Sequence, residues 1–188
     1  MKRNTIIFCL FTIILFGCKS TVTNCIINNP TIKSTKKQLR DNPYLKDDKT
    51  YIESEKYLLR RRIEIRNKIL DSLNILKNNS KLIIIDHFLD SNGRQLEANY
   101  FSFANKLLEV TYEYENPEKH YIEEISKDKQ LHVSKILDHF NKTNLDEING
   151  NIDFRSFVFY NVTVLIKKEV AYYEITTDST GNKINRIK

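Results

Sequence analysis

The sequence predicts an α+β fold, in which one long N-terminal helix and a second helix pack on an antiparallel β-sheet of about six to seven strands. Three observations lead to this fold class. A helical apolar period runs over residues 50–77, and from Lys81 onward the period becomes two. The segments between the strands of residues 82–125 are too short for parallel crossovers, so these strands are expected to run antiparallel.

A capping signal and two apolar strips define the N-terminal helix. Thr50-Tyr51-Ile52-Glu53 has the spacing of a capping box, with Thr50 as the N-cap. The residues at 78–80, Asn-Asn-Ser, are expected to end the helix. At about 100° per residue the apolar positions form two adjacent strips, one of Ile52, Leu59, Ile63, Leu70 and Leu73 and one of Leu58, Ile65, Ile69 and Leu76.

Two arginines, Arg62 and Arg66, fall between these strips, inside the apolar arc and one turn apart. One interpretation is structural: their stems lie along the core while their heads reach solvent or pair with carboxylates of the sheet. The other is a ligand-binding pair that faces a cleft and grips an anionic group, because guanidinium forks suit carboxylate and phosphate. Arg62 and Arg66 are therefore the candidate ligand-binding residues.

Alternation and turn residues place the remaining elements. Asn92-Gly93 is the strongest hairpin signal, and Asn149-Gly150 marks a later turn. A second helix is expected over residues 128–142, with Val133, Ile136, Leu137 and Phe140 on its buried side. The strand patterns cover residues 82–89, 95–103, 108–114, 153–159, 162–168, 170–177 and 183–187, and residues 120–125 are left open as a fourth strand of the first group.

Aromatic side chains occur at both odd and even positions along these strands, so they are expected on both faces of the sheet. Phe101, Phe157 and either Tyr172 or Tyr173 are expected to face opposite to their neighbours. In one interpretation the helices cover one face of the sheet and the termini cover part of the other. In the second, an exposed apolar patch marks a site for a protein or glycan partner.

The first 17 residues have the layout of a secretory signal peptide. Lys2 and Arg3 form a positive head, residues 6–16 are an uncharged and mostly apolar run of 11, and Gly17-Cys18 close it. A bilayer-spanning helix needs about 20 residues, so a retained transmembrane anchor is disfavoured. Residues 18–46 are rich in Ser, Thr, Asn and Lys and are interpreted as a flexible tether, with ends roughly 30 Å apart.

This segment resembles a bacterial lipoprotein signal, with Leu15, Gly17 and Cys18 matching the lipobox. The resemblance implies cleavage before Cys18, a diacylglycerol thioether on its sulfur and an acyl chain on the new amino terminus. Cys18 is thus the predicted lipid-attachment residue. The resemblance also implies a lipid-anchored place at the periplasmic face of the outer membrane, since no retention aspartate follows the cysteine. The alternative is an ordinary signal peptide that is cut elsewhere and releases a soluble protein.

Composition and spacing argue against several classes of function. The formal charge is +6, but the basic residues are spread along the chain among acids, so no nucleic-acid partner is expected. The glycines form no phosphate-cradling loop, and Cys25 would be the one thiol left after processing, so neither a cofactor nor a Cys/His metal site is expected. His132 and His139 lie seven residues apart, whereas helical metal pairs prefer a spacing of about four.

The sequence therefore predicts a cell-envelope lipoprotein that is bound to a membrane through Cys18 and has no recognised catalytic motif. A non-enzymatic binding or interaction module, with a protein partner in the envelope, is favoured over an enzyme. The alternatives are an envelope hydrolase or other small periplasmic enzyme, and a structural component of the envelope. The domain organisation that follows is a signal peptide (1–17), a tether (18–46) and one α+β domain (47–188).

Overall fold

The structure, a computed structural model, describes residues 48–74, 81–89, 96–113, 115–141, 148, 150–152, 159–166, 169–178 and 181–187. These ranges form an α+β fold with two α-helices and one antiparallel sheet, which confirms the predicted class. The signal peptide, Cys18 and the tether lie outside the described residues. None of the helices in the described ranges has both the length and the hydropathy needed to cross a membrane.

The first helix, α1, spans Lys49–Ser72, and its start differs from the prediction. Asp48 is the N-cap, and its Oδ1 accepts a hydrogen bond from the backbone N–H of Tyr51 at 2.9 Å. Thr50 therefore lies inside the helix, because a carboxylate two residues earlier satisfies the open N–H group. The helix also ends earlier than predicted, at Ser72, and Asn74 has a positive φ of 51°.

The second helix, α2, spans Leu131–Phe140 and is shorter than the predicted range of 128–142. A 3₁₀ turn at Lys127–Lys129 precedes it, and the side chain of Ser126 caps that turn. Gln130 has φ −126° and ψ 83°, which separates the turn from the helix. The four side chains predicted to be buried on α2 are buried: Val133, Ile136, Leu137 and Phe140.

The sheet has eight strands in the order β4-β3-β2-β1-β6-β7-β8-β5, so the predicted number of six to seven was too low. Asn149-Gly150 was assigned to a turn, but Gly150 begins the short strand β5, which pairs with β8 at one end of the sheet. Of the pattern at 153–159, the structure describes Phe159, which begins β6. The strands are β1 Lys81–Phe88, β2 Leu96–Phe103, β3 Lys106–Tyr112, β4 His120–Glu124, β5 Gly150–Ile152, β6 Phe159–Ile166, β7 Glu169–Asp178 and β8 Gly181–Ile187.

The two helices cover opposite faces of the sheet, so the interpretation in which both helices share one face is wrong. On one face α2 packs on a cluster that includes Ile85, Tyr100, Tyr160 and Tyr173. On the other face, α1 packs on two smaller clusters, one around Phe101 and Val110 and one around Phe88 and Phe159. Aromatic rings are buried on both faces because each face has its own helix.

Candidate functional site

Three charged residues of α1 are buried along one side of the helix: Glu55, Arg62 and Arg66. They are spaced by seven and four residues, which brings them to nearly the same angular position on the helix. Their exposed fractions are 4 %, 2 % and 0 %. A buried charge is costly unless it is paired and hydrogen-bonded, so this strip is the most unusual feature of the helix.

Arg66 is paired with Asp86, which lies on the central strand β1. Its Nη1 is 3.0 Å from Asp86 Oδ1 and 2.7 Å from Oδ2, and both side chains are buried. Asn99 on β2 is directly opposite Asp86, and its Nδ2 donates to Asp86 Oδ1 at 2.6 Å. These donors satisfy the carboxylate, which compensates for removing it from water.

Tyr112 links this pair to Arg62. Its hydroxyl donates to Asn99 Oδ1 and lies 3.2 Å from the backbone oxygen of Arg62. The guanidinium carbon of Arg62 is 5.9 Å from the centre of the Tyr112 ring, within cation–π range. Burial raises the pKa of the Tyr112 hydroxyl, so it remains a hydrogen-bond donor at neutral pH.

Asp86 belongs to a row of polar residues that runs across neighbouring strands, on the face of the sheet covered by α1. In strand order the residues opposite one another are Asn99, Asp86, Asn161, Glu174 and Asn185. Asn161 has no exposed surface, and neither of its side-chain polar atoms has a hydrogen-bond partner among the described residues. Burial raises the pKa of the Glu174 carboxyl at the more open side of the row.

A cleft of about 470 Å³ opens where α1 begins. It is lined by Tyr51, Ser54, Glu55, Tyr57, Leu58 and Glu115. Glu55 belongs to the buried strip, so the cleft meets the strip at its N-terminal end. Tyr51 and Tyr57 are 39 % and 59 % exposed, and they give the opening an aromatic rim next to carboxylates. Exposed tyrosine rings beside polar groups are typical of recognition surfaces.

A second polar group lies on the α2 face, around His87 of β1. Its ring stacks on Tyr160, with centroids 4.8 Å apart, and its Nδ1 is 3.4 Å from Glu97 Oε2. Glu97 is the extra residue where the pairing of β1 and β2 shifts register, which places it next to His87. Burial, and to a lesser extent the nearby imidazole of His132, lower the pKa of His87 to about 4, so the imidazole of His87 is neutral at pH 7.

The described residues contain no group of three or more histidines, cysteines or acidic residues arranged to hold a metal ion. His132 and His139 are half-buried on α2. His132 lies close enough to His87, across the interface between helix and sheet, to contribute to the lowering of its pKa, a relationship that the sequence spacing did not indicate.

The structure brings Arg62 and Arg66 together on one buried side of α1, and it pairs Arg66 with a carboxylate of the sheet. Their role in ligand binding stays a prediction. The sequence reasoning missed Asp86, Asn99 and Asn161, although each interrupts an otherwise apolar or aromatic strand pattern. Such interruptions were the available signal for a buried polar row.

Comparisons of the chain with protein-family models, with curated proteins and with solved structures found no match.

Proposed function

We propose that this chain is a cell-envelope lipoprotein, held at the periplasmic face of the outer membrane by lipids on Cys18, whose folded part is a non-enzymatic binding module. The observation that carries the proposal is Leu15-Phe16-Gly17-Cys18 at the end of an 11-residue apolar run. One acyl chain holds a protein only marginally, whereas two or more make a stable anchor.

The cleft at the start of α1 supports a binding role. Its aromatic rim follows directly after the tether, because Tyr51 lies three residues beyond the Asp48 cap. A tether over residues 18–46 would let this end of the domain reach partners within roughly 30 Å of the membrane. The binding partner fitting this position is a protein of the same envelope compartment.

Arg62 and Arg66 are part of this proposal as the ligand-binding pair. The strip that carries them begins at Glu55 in the wall of the cleft, so a ligand entering there would approach Arg62 before Arg66. Substituting Arg66 would also remove the partner of a buried carboxylate, which makes it a poor probe of binding alone. Tyr57, at the exposed rim, is the better position for such a test.

The anchor is tested with the full chain expressed in a bacterium with an outer membrane. The wild type and a Cys25→Ser control are expected to enter the detergent phase and to show the mass of a lipidated chain beginning at Cys18. A Cys18→Ser variant is expected to retain its signal peptide and to carry no lipid. Recovery of the wild type without lipid and with residues 1–17 attached would overturn the proposal.

The binding role is tested by affinity capture of the full-length protein from its native membrane. The wild type is expected to retain a defined partner, and Tyr57→Ala is expected to lose it because the rim of the cleft is removed. Leu131→Ala changes a 64 % exposed apolar residue on α2 and serves as the control that keeps the partner. Equal capture by the wild type and by Tyr57→Ala, or no capture at all, counts against the cleft as the binding site.

A second candidate, an envelope hydrolase, is favoured by the arrangement of His87 and Glu97. The Nδ1 of His87 lies 3.4 Å from Glu97 Oε2, the geometry in which a carboxylate orients a histidine base. Hydrolysis of envelope peptides or glycans that is present in the wild type and lost in His87→Gln would support this candidate. The same assay with His139→Gln controls for loss of a histidine elsewhere on the α2 face.

A further inference from the structure

Strand β4 forms one end of the eight-stranded sheet, and four of its five residues are exposed. Tyr121 is 72 % exposed and Ile122 is 50 % exposed, so the edge presents large apolar side chains on both faces. Natural sheets usually protect such an edge with charged side chains, especially lysine, or with proline or a bulge on the strand itself. In β4 the sequence His-Tyr-Ile-Glu-Glu contains neither lysine nor proline, and its two charged residues, Glu123 and Glu124, each pair with a lysine of the same chain.

The backbone of β4 also has a defined outward-facing set of hydrogen-bonding groups. The N–H of Glu113 donates to Lys119 O, and the N–H of Ile125 donates to Leu107 O, so the odd-numbered residues of this segment bond to β3. In an antiparallel ladder the bonded residues alternate. The N–H and C=O groups of His120, Ile122 and Glu124 therefore point away from the sheet.

We infer that this edge binds a second copy of the same chain, with the two β4 strands antiparallel and related by a two-fold axis at Ile122. In this register Ile122 exchanges both backbone hydrogen bonds with Ile122 of the second copy. His120 does the same with Glu124 of the second copy, and Glu124 with His120. The two sheets then continue through the interface. This self-pairing is independent of the lipid anchor and goes beyond the proposed function.

The side chains are complementary in the same register. On the α1 face Ile122 meets its own copy, and each His120 lies opposite a Glu124 carboxylate. On the α2 face, each Tyr121 lies opposite a Glu123, so a hydroxyl donor meets a carboxylate. Ile122 against Ile122 is an apolar contact, each His120 and Tyr121 offers a hydrogen-bond donor to the carboxylate opposite, and no like charges lie directly opposite one another, which would destabilise the strands.

Charges near the edge do not oppose this pairing. Glu124 is 3.1 Å from Lys106 Nζ, and Glu123 is 3.5 Å from Lys129 Nζ, so each glutamate has a cation on its own chain. Two other two-fold registers would place outward-facing groups at the axis: one centred on Glu124 puts two carboxylates face to face, and one centred on His120 overlaps the two β4 strands only at His120. The repulsion in the first and the short overlap in the second leave the register centred on Ile122, which pairs all five residues of β4.

The experiment compares the oligomeric state of the full-length protein in detergent with that of two variants at the axis. Sedimentation at about 100 µM is suited to a short interface, which belongs to the weak class. The wild type is expected to sediment as a dimer. Ile122→Lys and Ile122→Glu each place like charges at the axis, and each is expected to dimerise at least about tenfold more weakly.

An equimolar mixture of Ile122→Lys and Ile122→Glu is expected to restore the dimer, because a lysine then faces a glutamate. Leu131→Lys, an exposed apolar residue on α2, is the control that keeps the dimer. Unchanged circular dichroism of each variant establishes that the fold is retained. A monomeric wild type, variants that dimerise as well as the wild type, or a mixture that stays monomeric would each overturn the inference.

Discussion

Arg66 of α1 and Asp86 of β1 form a buried ion pair, with Nη1 2.7 Å from Oδ2 and both side chains essentially without exposed surface. The pair joins α1 to the middle of the sheet. Asn99 on the neighbouring strand β2 also binds Asp86, since its Nδ2 donates to Asp86 Oδ1 at 2.6 Å. A buried pair adds little stability relative to apolar residues of the same shape, but removing one member leaves an unpaired buried charge.

Arg66→Ala is therefore expected to lower the free energy of unfolding by about 3–5 kcal/mol, because it leaves the Asp86 carboxylate without its cation. Urea unfolding followed by circular dichroism measures the change. Arg60→Ala, at an exposed position on the same helix, is the matched control and is expected to stay within about 0.5 kcal/mol of the wild type. Equal effects of the two substitutions would contradict the importance of the pair.

Asn99 and Asn161 flank Asp86 on either side and should respond in opposite ways to substitution by valine. Asn99→Val removes a hydrogen bond to Asp86 and one from Tyr112, so a loss of about 2–3 kcal/mol is expected. Asn161→Val removes an amide with no hydrogen-bond partner among the described residues, so stability is expected to hold or to rise by about 1 kcal/mol. The urea midpoints of the two variants give the comparison, and a large loss in Asn161→Val would show that its amide has a partner.

The stability of the protein is expected to fall between about pH 6.5 and pH 4 because of His87. Its pKa in the folded protein is lowered to about 4, so the unfolded chain binds a proton there that the folded chain does not. The contribution of the neutral His87 to the free energy of unfolding is fully present above about pH 6.5. It is lost as the pH falls to about 4, and the loss over this interval is on the order of 3 kcal/mol.

The measurement is urea unfolding of the wild type and of His87→Phe across this pH range. Glu97, His132 and Tyr160 face His87 and remain in the variant, so the difference between the two curves isolates the imidazole. The slope of the wild type should be steeper than that of the variant below pH 6.5. Parallel curves would contradict the lowered pKa.

Asp48 is the N-cap of α1, and a pair of alanine substitutions distinguishes it from Thr50. Asp48→Ala removes the acceptor for the Tyr51 N–H and is expected to cost about 1 kcal/mol of unfolding free energy. Thr50→Ala, at an exposed position in the first turn, is expected to have a much smaller effect. Thermal or urea unfolding decides between the two, and a larger loss in Thr50→Ala would restore the predicted capping box.

Local patterns determined much of the fold but not its boundaries. The apolar periods placed both helices, and the strands flanking Asn92-Gly93 do pair antiparallel. The cap was misplaced because Asp48 and Thr50 are both good N-cap residues, and the sequence alone does not say where the chain enters the helix. The strand count was too low because β5 has three residues and its pairing with β8 depends on contacts distant in the chain.

The sequence by itself determined which residues are apolar, where the period changes from helix to strand, and that two arginines of α1 fall inside the apolar arc. Only the tertiary structure decided that the helices take opposite faces and that Asp86 lies beneath Arg66. The physical reason is that periodicity is a property of neighbouring residues, whereas a buried charge needs a partner, and here that partner is 20 residues away along the chain.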